Sequence, residues 1–220
     1  MKTKLVSLLV ALLGFNINAA ASSINGNAGA SFSSEYHRRG QIVSQDSIQA
    51  QVGAQTNIGG LNVNAEFFTS QATENGETNS NEITVSAGGN LFEDKVSAYI
   101  GIYNTDMSNL SSVSEGFLEI GVNSMLKPTA RVFRGTSNNL NTFEGELSHT
   151  FDLDLANLEL KGLLGNTETS SSTDLTYSSL SASLSRDLSE NFSIYADVSI
   201  SDTNTRDYET FWGTGVSVKF

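Results

Sequence analysis

The chain has 220 residues, with 12 Lys and Arg against 24 Asp and Glu, one Pro and no Cys. A formal net charge of −12 excludes the basic footprint that holds a nucleic-acid backbone, so nucleic acid is not expected as a partner. The absence of Cys excludes disulfide stapling and thiolate metal centres.

The first residues set the compartment. Lys2 and Lys4 give a positive start, residues 5–15 an apolar run, and Ala19, Ala20 and Ala21 a small-residue cleavage site, the pattern of a secretory signal. The run is about eleven residues, well short of the roughly 20 that a membrane helix needs. Residues 1–21 are therefore expected to be removed and residues 22–220 to form one domain. No later stretch is apolar for long enough to cross a bilayer as a helix, so membrane insertion requires strands, and strands in lipid require a closed barrel.

Two-residue alternation then recurs at the length of a tilted membrane strand. Ala28, Ala30 and Phe32 start it, followed by Ile48, Ala50, Val52 and Ala54, with Gln49, Gln51 and Gln55 on the other face. A row of glutamines suits a wet lumen and not a dry core. Next come Leu61, Val63, Ala65 and Phe67; Ile83, Val85 and Ala87; Val96, Ala98, Ile100 and Ile102; and Leu118, Ile120 and Val122. Ala130 and Val132, then Phe143, Gly145, Leu147 and Phe151, Leu158 and Leu160, and Leu180, Ala182 and Leu184 continue the series. Phe192, Ile194, Ala196, Val198 and Ile200 form the penultimate strand, and Trp212, Thr214, Val216, Val218 and Phe220 the last. The fold class predicted is all-β: a transmembrane antiparallel up-and-down β-barrel of about 12 strands.

The connections support that topology. Short turns are expected at 58–60, 92–95, 124–127, 153–157 and 187–191, and longer polar loops at 38–45, 73–80, 105–112, 136–140, 167–173 and 202–208, alternating as in bacterial barrels. On the lipid-facing parity Phe151, Phe192 and Phe220 fall at one set of strand ends and Tyr36, Phe143 and Trp212 at the other, which predicts two partial aromatic girdles.

The opposite parity collects the candidate pore-lining residues Glu66, Glu82, Glu119, Arg131, Glu144, Glu146, Glu159, Lys161 and Asp197, with Lys219 near the end. Rings of carboxylates favour cations, whereas the same residues in mutual salt bridges would only keep strands apart. Tyr99, Tyr103, Phe117, Phe133 and Tyr195 share this face as narrowing or filling groups.

Catalysis finds little support. Only two histidines exist, His37 at the outer rim beside Arg38 and Arg39, and His149 on the lipid-facing parity; Ser148 adjoins His149 but points to the other face. No enzyme activity, cofactor or metal site is expected.

The segment Ser34, Glu35, Tyr36, His37, Arg38, Arg39, Gly40 resembles the S-D/N-Y-x-x-R-G signature near the start of the TorF-like family of small outer-membrane porins. Glu35 replaces the usual Asp or Asn, and residues 41–46 match the family's polar loop only loosely. The resemblance implies a single-chain barrel of this size with a porin role. The ending Val216, Val218, Phe220 resembles the C-terminal signal read by the barrel-assembly machinery. The expected function is passive diffusion of small solutes or ions through the outer membrane of a Gram-negative bacterium, with a cation preference. The alternative is a closed structural or surface-binding barrel whose Arg38 and Arg39 meet lipopolysaccharide phosphates among the outer-membrane lipids.

Overall fold

A computed structural model of the chain describes residues 24–74, 78–108, 112–136, 140–168 and 174–220. The expected signal segment, residues 1–21, and the tips of four connections lie outside the described residues.

Twelve antiparallel strands follow one another: β1 (Asn25–Arg38), β2 (Gln41–Ile58), β3 (Leu61–Ala72), β4 (Thr78–Leu91), β5 (Val96–Met107), β6 (Val113–Val122), β7 (Thr129–Gly135), β8 (Asn141–Leu153), β9 (Ala156–Thr167), β10 (Leu175–Asp187), β11 (Phe192–Thr203) and β12 (Arg206–Lys219). Each pairs with its neighbours in sequence, and β1 pairs with β12 to close the barrel. Closure matters energetically, because an unpaired backbone group in lipid costs several kcal/mol, on the order of a lost hydrogen bond without water to replace it.

The ladders carry the sequence parity around the whole sheet. Val52 stands opposite Ala28 and Phe67, Val85 opposite Ala65 and Ile102, Leu118 opposite Ile100 and Val132, and Leu180 opposite Gly162 and Ile200. This face is outward and apolar: Ile48, Ile100, Leu164 and Leu180 are each more than half exposed. Such a belt is stable against lipid tails and not against water. Phe143, Phe151, Trp212 and Phe220 lie exposed along it, as the girdle reading expects.

Three expectations need correction. The connection at 38–45 is not a long loop: β1 and β2 run on to a two-residue turn at Arg39 and Gly40, with φ of 48° and 72°. Positive φ at both central residues matches the right-handed twist of a ribbon, so the hairpin extends to its tip. Likewise β11 and β12 meet at a two-residue turn, Asn204 and Thr205, and not in a longer loop at 202–208. Finally, Tyr36 does not face lipid. The β1–β12 ladder ends at Ser33 and Asp46 takes φ 44°, so Tyr36 lies on the part of the ribbon that has left the barrel wall, where the lipid-facing parity no longer applies.

The β1–β12 ladder stops at Ser33 and Gly213, and the β2–β3 ladder at Ser47 and Ala72. Beyond those points, apart from one bond from the Thr73 N–H to the Asp46 carbonyl at 2.8 Å, the backbones of β1 and β2 pair only with each other. The freed ribbon bends into the barrel, and its seat is the best-buried part of the molecule. Ser47, Ser70, Ser80 and Thr142 are almost wholly buried, with Val43, Met107, Phe133 and Tyr177 the buried apolar residues. Small hydroxyl side chains allow the backbone of the ribbon to approach the wall; Ser44 Oγ lies 2.9 Å from Ser70 Oγ.

Candidate functional site

The ribbon tip, residues 34–43, touches the inside of the barrel on nearly every side. Tyr36 packs on Phe68 of β3 at 5.0 Å between ring centroids, and its hydroxyl donates to Glu82 of β4. Tyr103 of β5 donates to the same carboxylate and accepts from Arg38 Nε at 2.8 Å. The Arg38 guanidinium also lies over the Tyr103 ring, 4.6 Å from its centroid.

Arg39 reaches farthest. Its Nη1 donates to Glu115 of β6 at 2.7 Å, its guanidinium covers Phe133 of β7 at 4.2 Å, and Nε lies 3.9 Å from Glu144 of β8. Burial alone disfavours a charge on Arg39, but the hydrogen bond and charge of Glu115, with the charge of Glu144, outweigh it and raise its pKa. Only a path through the lumen joins a β1–β2 turn to β6 and β8, and this fixes which parity is inward.

Gly40 completes the seat. A Cβ there would come within 2.7 Å of Tyr177 Cβ and 2.9 Å of Thr203 Cγ2, at a φ that side chains resist. Its carbonyl accepts from Arg206 Nη2 at 2.8 Å. His37, on the other side of the ribbon, stacks on Phe211 of β12 at 4.1 Å. His37, Arg38 and Arg39 therefore do not stand at an outer rim; all three point into the barrel.

All nine candidate residues stand on the inward face of their strands. Glu119 and Arg131 are ladder partners, as are Arg131 and Glu144. Arg131 bridges Glu119 at 2.5 Å and Glu146 at 3.1 Å, tying β6, β7 and β8 together. Glu82 belongs to the tyrosine cluster, and Glu144 accepts from the Tyr177 hydroxyl at 2.7 Å. Glu66, Glu159, Lys161 and Asp197 have no ion pair within 4.0 Å among the described residues.

Between the ribbon and the wall of β8–β12 remains a cavity of 430 Å³, where Glu144, Glu159, Lys161 and Asp197 meet His37, Arg39 and a row of serines. Glu66 borders a separate space of 300 Å³ at the end of the barrel where the start of β1 pairs with the end of β12. A further groove, 690 Å³, is mainly apolar and faces outward around Gly145 and Gly162, where lipid would fill it. Ser148 and His149 stand on opposite faces of β8; His149 Nδ1 bonds the Met125 carbonyl.

The residues missed from sequence are those of the ribbon and its receptors: Tyr36, His37, Arg38 and Arg39, with Glu115, Tyr177 and Phe211. One signal was present. An Arg-Gly pair directly after an alternating strand is compatible with a two-residue turn.

No protein-family model and no curated protein matches the chain. The resemblance to the TorF-like family is thus not confirmed. Solved structures do match: a KdgM porin, at TM-score 0.57 and 17% identity over 88% of this chain and 99% of that one, and a NanC porin, at 0.56 and 13% over 90% and 100%. A KdgM porin in complex with disordered oligogalacturonate matches at 0.56 and 16%, over 89% and 99%. At such identities the likeness establishes architecture, and the chain has the fold of these small porins: a closed antiparallel transmembrane barrel of twelve strands.

Proposed function

We propose that this protein is a narrow outer-membrane channel for passive diffusion of small solutes or ions, with a preference for cations. The observation that carries the reading is the inward face itself. Seven carboxylates, Glu66, Glu82, Glu119, Glu144, Glu146, Glu159 and Asp197, share it with two basic candidates, Arg131 and Lys161, beside a polar cavity. Carboxylates that retain water attract cations and repel anions at close range. The fold shared with KdgM and NanC porins supports the channel reading. An anionic chain such as the oligogalacturonate seen with a KdgM porin would meet the wrong sign of charge here.

Placement in the bacterial outer membrane follows from the apolar belt together with the fold. The last strand, ending Val216, Val218, Phe220, supplies what the barrel-assembly machinery would read, and the belt would contact membrane lipid and lipopolysaccharide. A second reading, a closed structural or surface-binding barrel, is favoured by one observation: the ribbon crosses the lumen. Its original binding element is weakened, because Arg38 and Arg39 are 13% exposed and paired inside.

The test is the reversal potential across a planar bilayer under a salt gradient. The native protein should be cation-selective, and changing Glu66, Glu146 and Glu159 together to Gln should lower the cation-to-anion permeability ratio. An unchanged ratio in an otherwise folded, conducting triple variant would remove the selectivity claim.

A further inference from the structure

Folding of the ribbon into the lumen makes a second cluster that no sequence spacing reveals. Glu35 and His37, two residues apart on β1, meet Glu209 near the start of β12, and one ligand atom from each lies within 4.8 Å of the other two. Glu35 Oε2 is 2.7 Å from His37 Nε2. The His37 side chain is 7% exposed and Glu35 21%, so the group sits largely out of bulk water.

Two independent observations point to a cation here. First, charge around the ribbon does not balance: Glu35, Glu82, Glu115, Glu144 and Glu209 face the three guanidiniums of Arg38, Arg39 and Arg206. Glu209 is paired with Arg206, and Glu115 and Glu144 engage Arg38 and Arg39; of the two carboxylates left, Glu82 is held by the hydroxyls of Tyr36, Tyr103 and Ser80. Glu35 is the one carboxylate of the cluster that no guanidinium meets, its partners being His37 and the Gln45 amide. Second, His37 Nδ1 is buried without a hydrogen-bond partner, although the ring is held flat against Phe211 at an interplanar angle of 16°. A histidine fixed by stacking, with one nitrogen on a carboxylate and the other unsatisfied, is oriented more firmly than its hydrogen bonds explain.

We propose that Glu35, His37 and Glu209 form a binding site for a divalent first-row transition ion of the zinc class, which ties the inturned ribbon to the β12 wall. One imidazole and two carboxylates are suitable donors for such an ion, with remaining positions open to water. Binding would exchange the Arg206 contact of Glu209, 3.1 Å long, for a stronger charge. The sequence, with no Cys and only two histidines far apart in the chain, predicts no metal site; here carboxylates replace the second histidine.

The experiment is zinc titration of the full folded barrel in chelator-stripped detergent, read by competition with a chromophoric zinc indicator, with heat-modifiable gel migration as the control for folding. The native protein and H149A should each take up about one equivalent, while H37A, E35Q and E209Q should each weaken binding about tenfold or more. Absence of saturable uptake by the folded native barrel, or undiminished affinity in H37A, would overturn the site. Loss of binding in H149A with H37A unaffected would also overturn it.

Discussion

Arg39, at the turn between β1 and β2, donates to Glu115 on β6 at 2.7 Å, a hydrogen bond that crosses the lumen. Both side chains are mostly buried, at 13% and 6% exposure, so the contact is worth more than a surface ion pair and removal of one partner strands the other. In Arg39→Ala the ribbon should lose its anchor. Stability should fall by about 1.5–3 kcal/mol, measured by urea unfolding in lipid vesicles, the range for hydrogen bonds to charged groups. Arg39→Lys should restore little, because one ammonium cannot serve Glu115, Glu144 and the Phe133 face together.

Gly40 supplies a second test of the same seat. Gly40→Val adds a branched side chain at φ 72° against Tyr177 and Thr203, so the tip should be expelled. Trypsin reads this directly, since Arg38 and Arg39 are its targets. The native barrel should resist cleavage there, and the variant should be cut between residues 38 and 40.

The two faces of a strand should respond oppositely to charge. Leu180→Arg places a cation in the apolar belt and should cost about 2–4 kcal/mol if it lies near the bilayer midplane. Ser181→Arg, one residue on, faces the cavity beside Glu159 and Asp197 and should leave stability nearly unchanged. Equilibrium unfolding in vesicles separates the two.

Arg131 holds Glu119 and Glu146 together across three strands. Arg131→Gln should release two carboxylates into the lumen and raise the cation-to-anion permeability ratio, the reverse of the effect expected from neutralising glutamates. Reversal potentials under a salt gradient give the sign.

The barrel was legible in the sequence because its determinant is local. Each strand alternates on its own, and lipid enforces one parity everywhere, so Ile48, Val85, Leu118 and Leu180 face the same way without knowledge of the others. The inward placement of Glu82 or Asp197 follows from the same rule. The ribbon was not legible. Tyr36 looked like a girdle residue because the parity of Phe32 was continued along β1 past Ser33, where the ladder to β12 ends and the ribbon leaves the wall. Arg39 finds Glu115, Phe133 and Glu144 only after closure brings β1 across from β6–β8, and no periodicity encodes a contact through a lumen. The two connections misread as loops share a cause: polar residues such as Ser44, Gln45 and Thr203 mark solvent or lumen as readily as they mark a turn.

A channel narrowed by its own first hairpin should show that constriction in its single-channel conductance. The native barrel should be compared with a variant in which residues 36–43 are replaced by a short Gly-containing turn, both verified as folded. Native channels should give small, steady, cation-biased steps, and the trimmed barrel steps at least about twofold larger, since twelve strands enclose more space than their side chains fill. Equal steps would contradict the constriction, and silence from both folded proteins would contradict the channel.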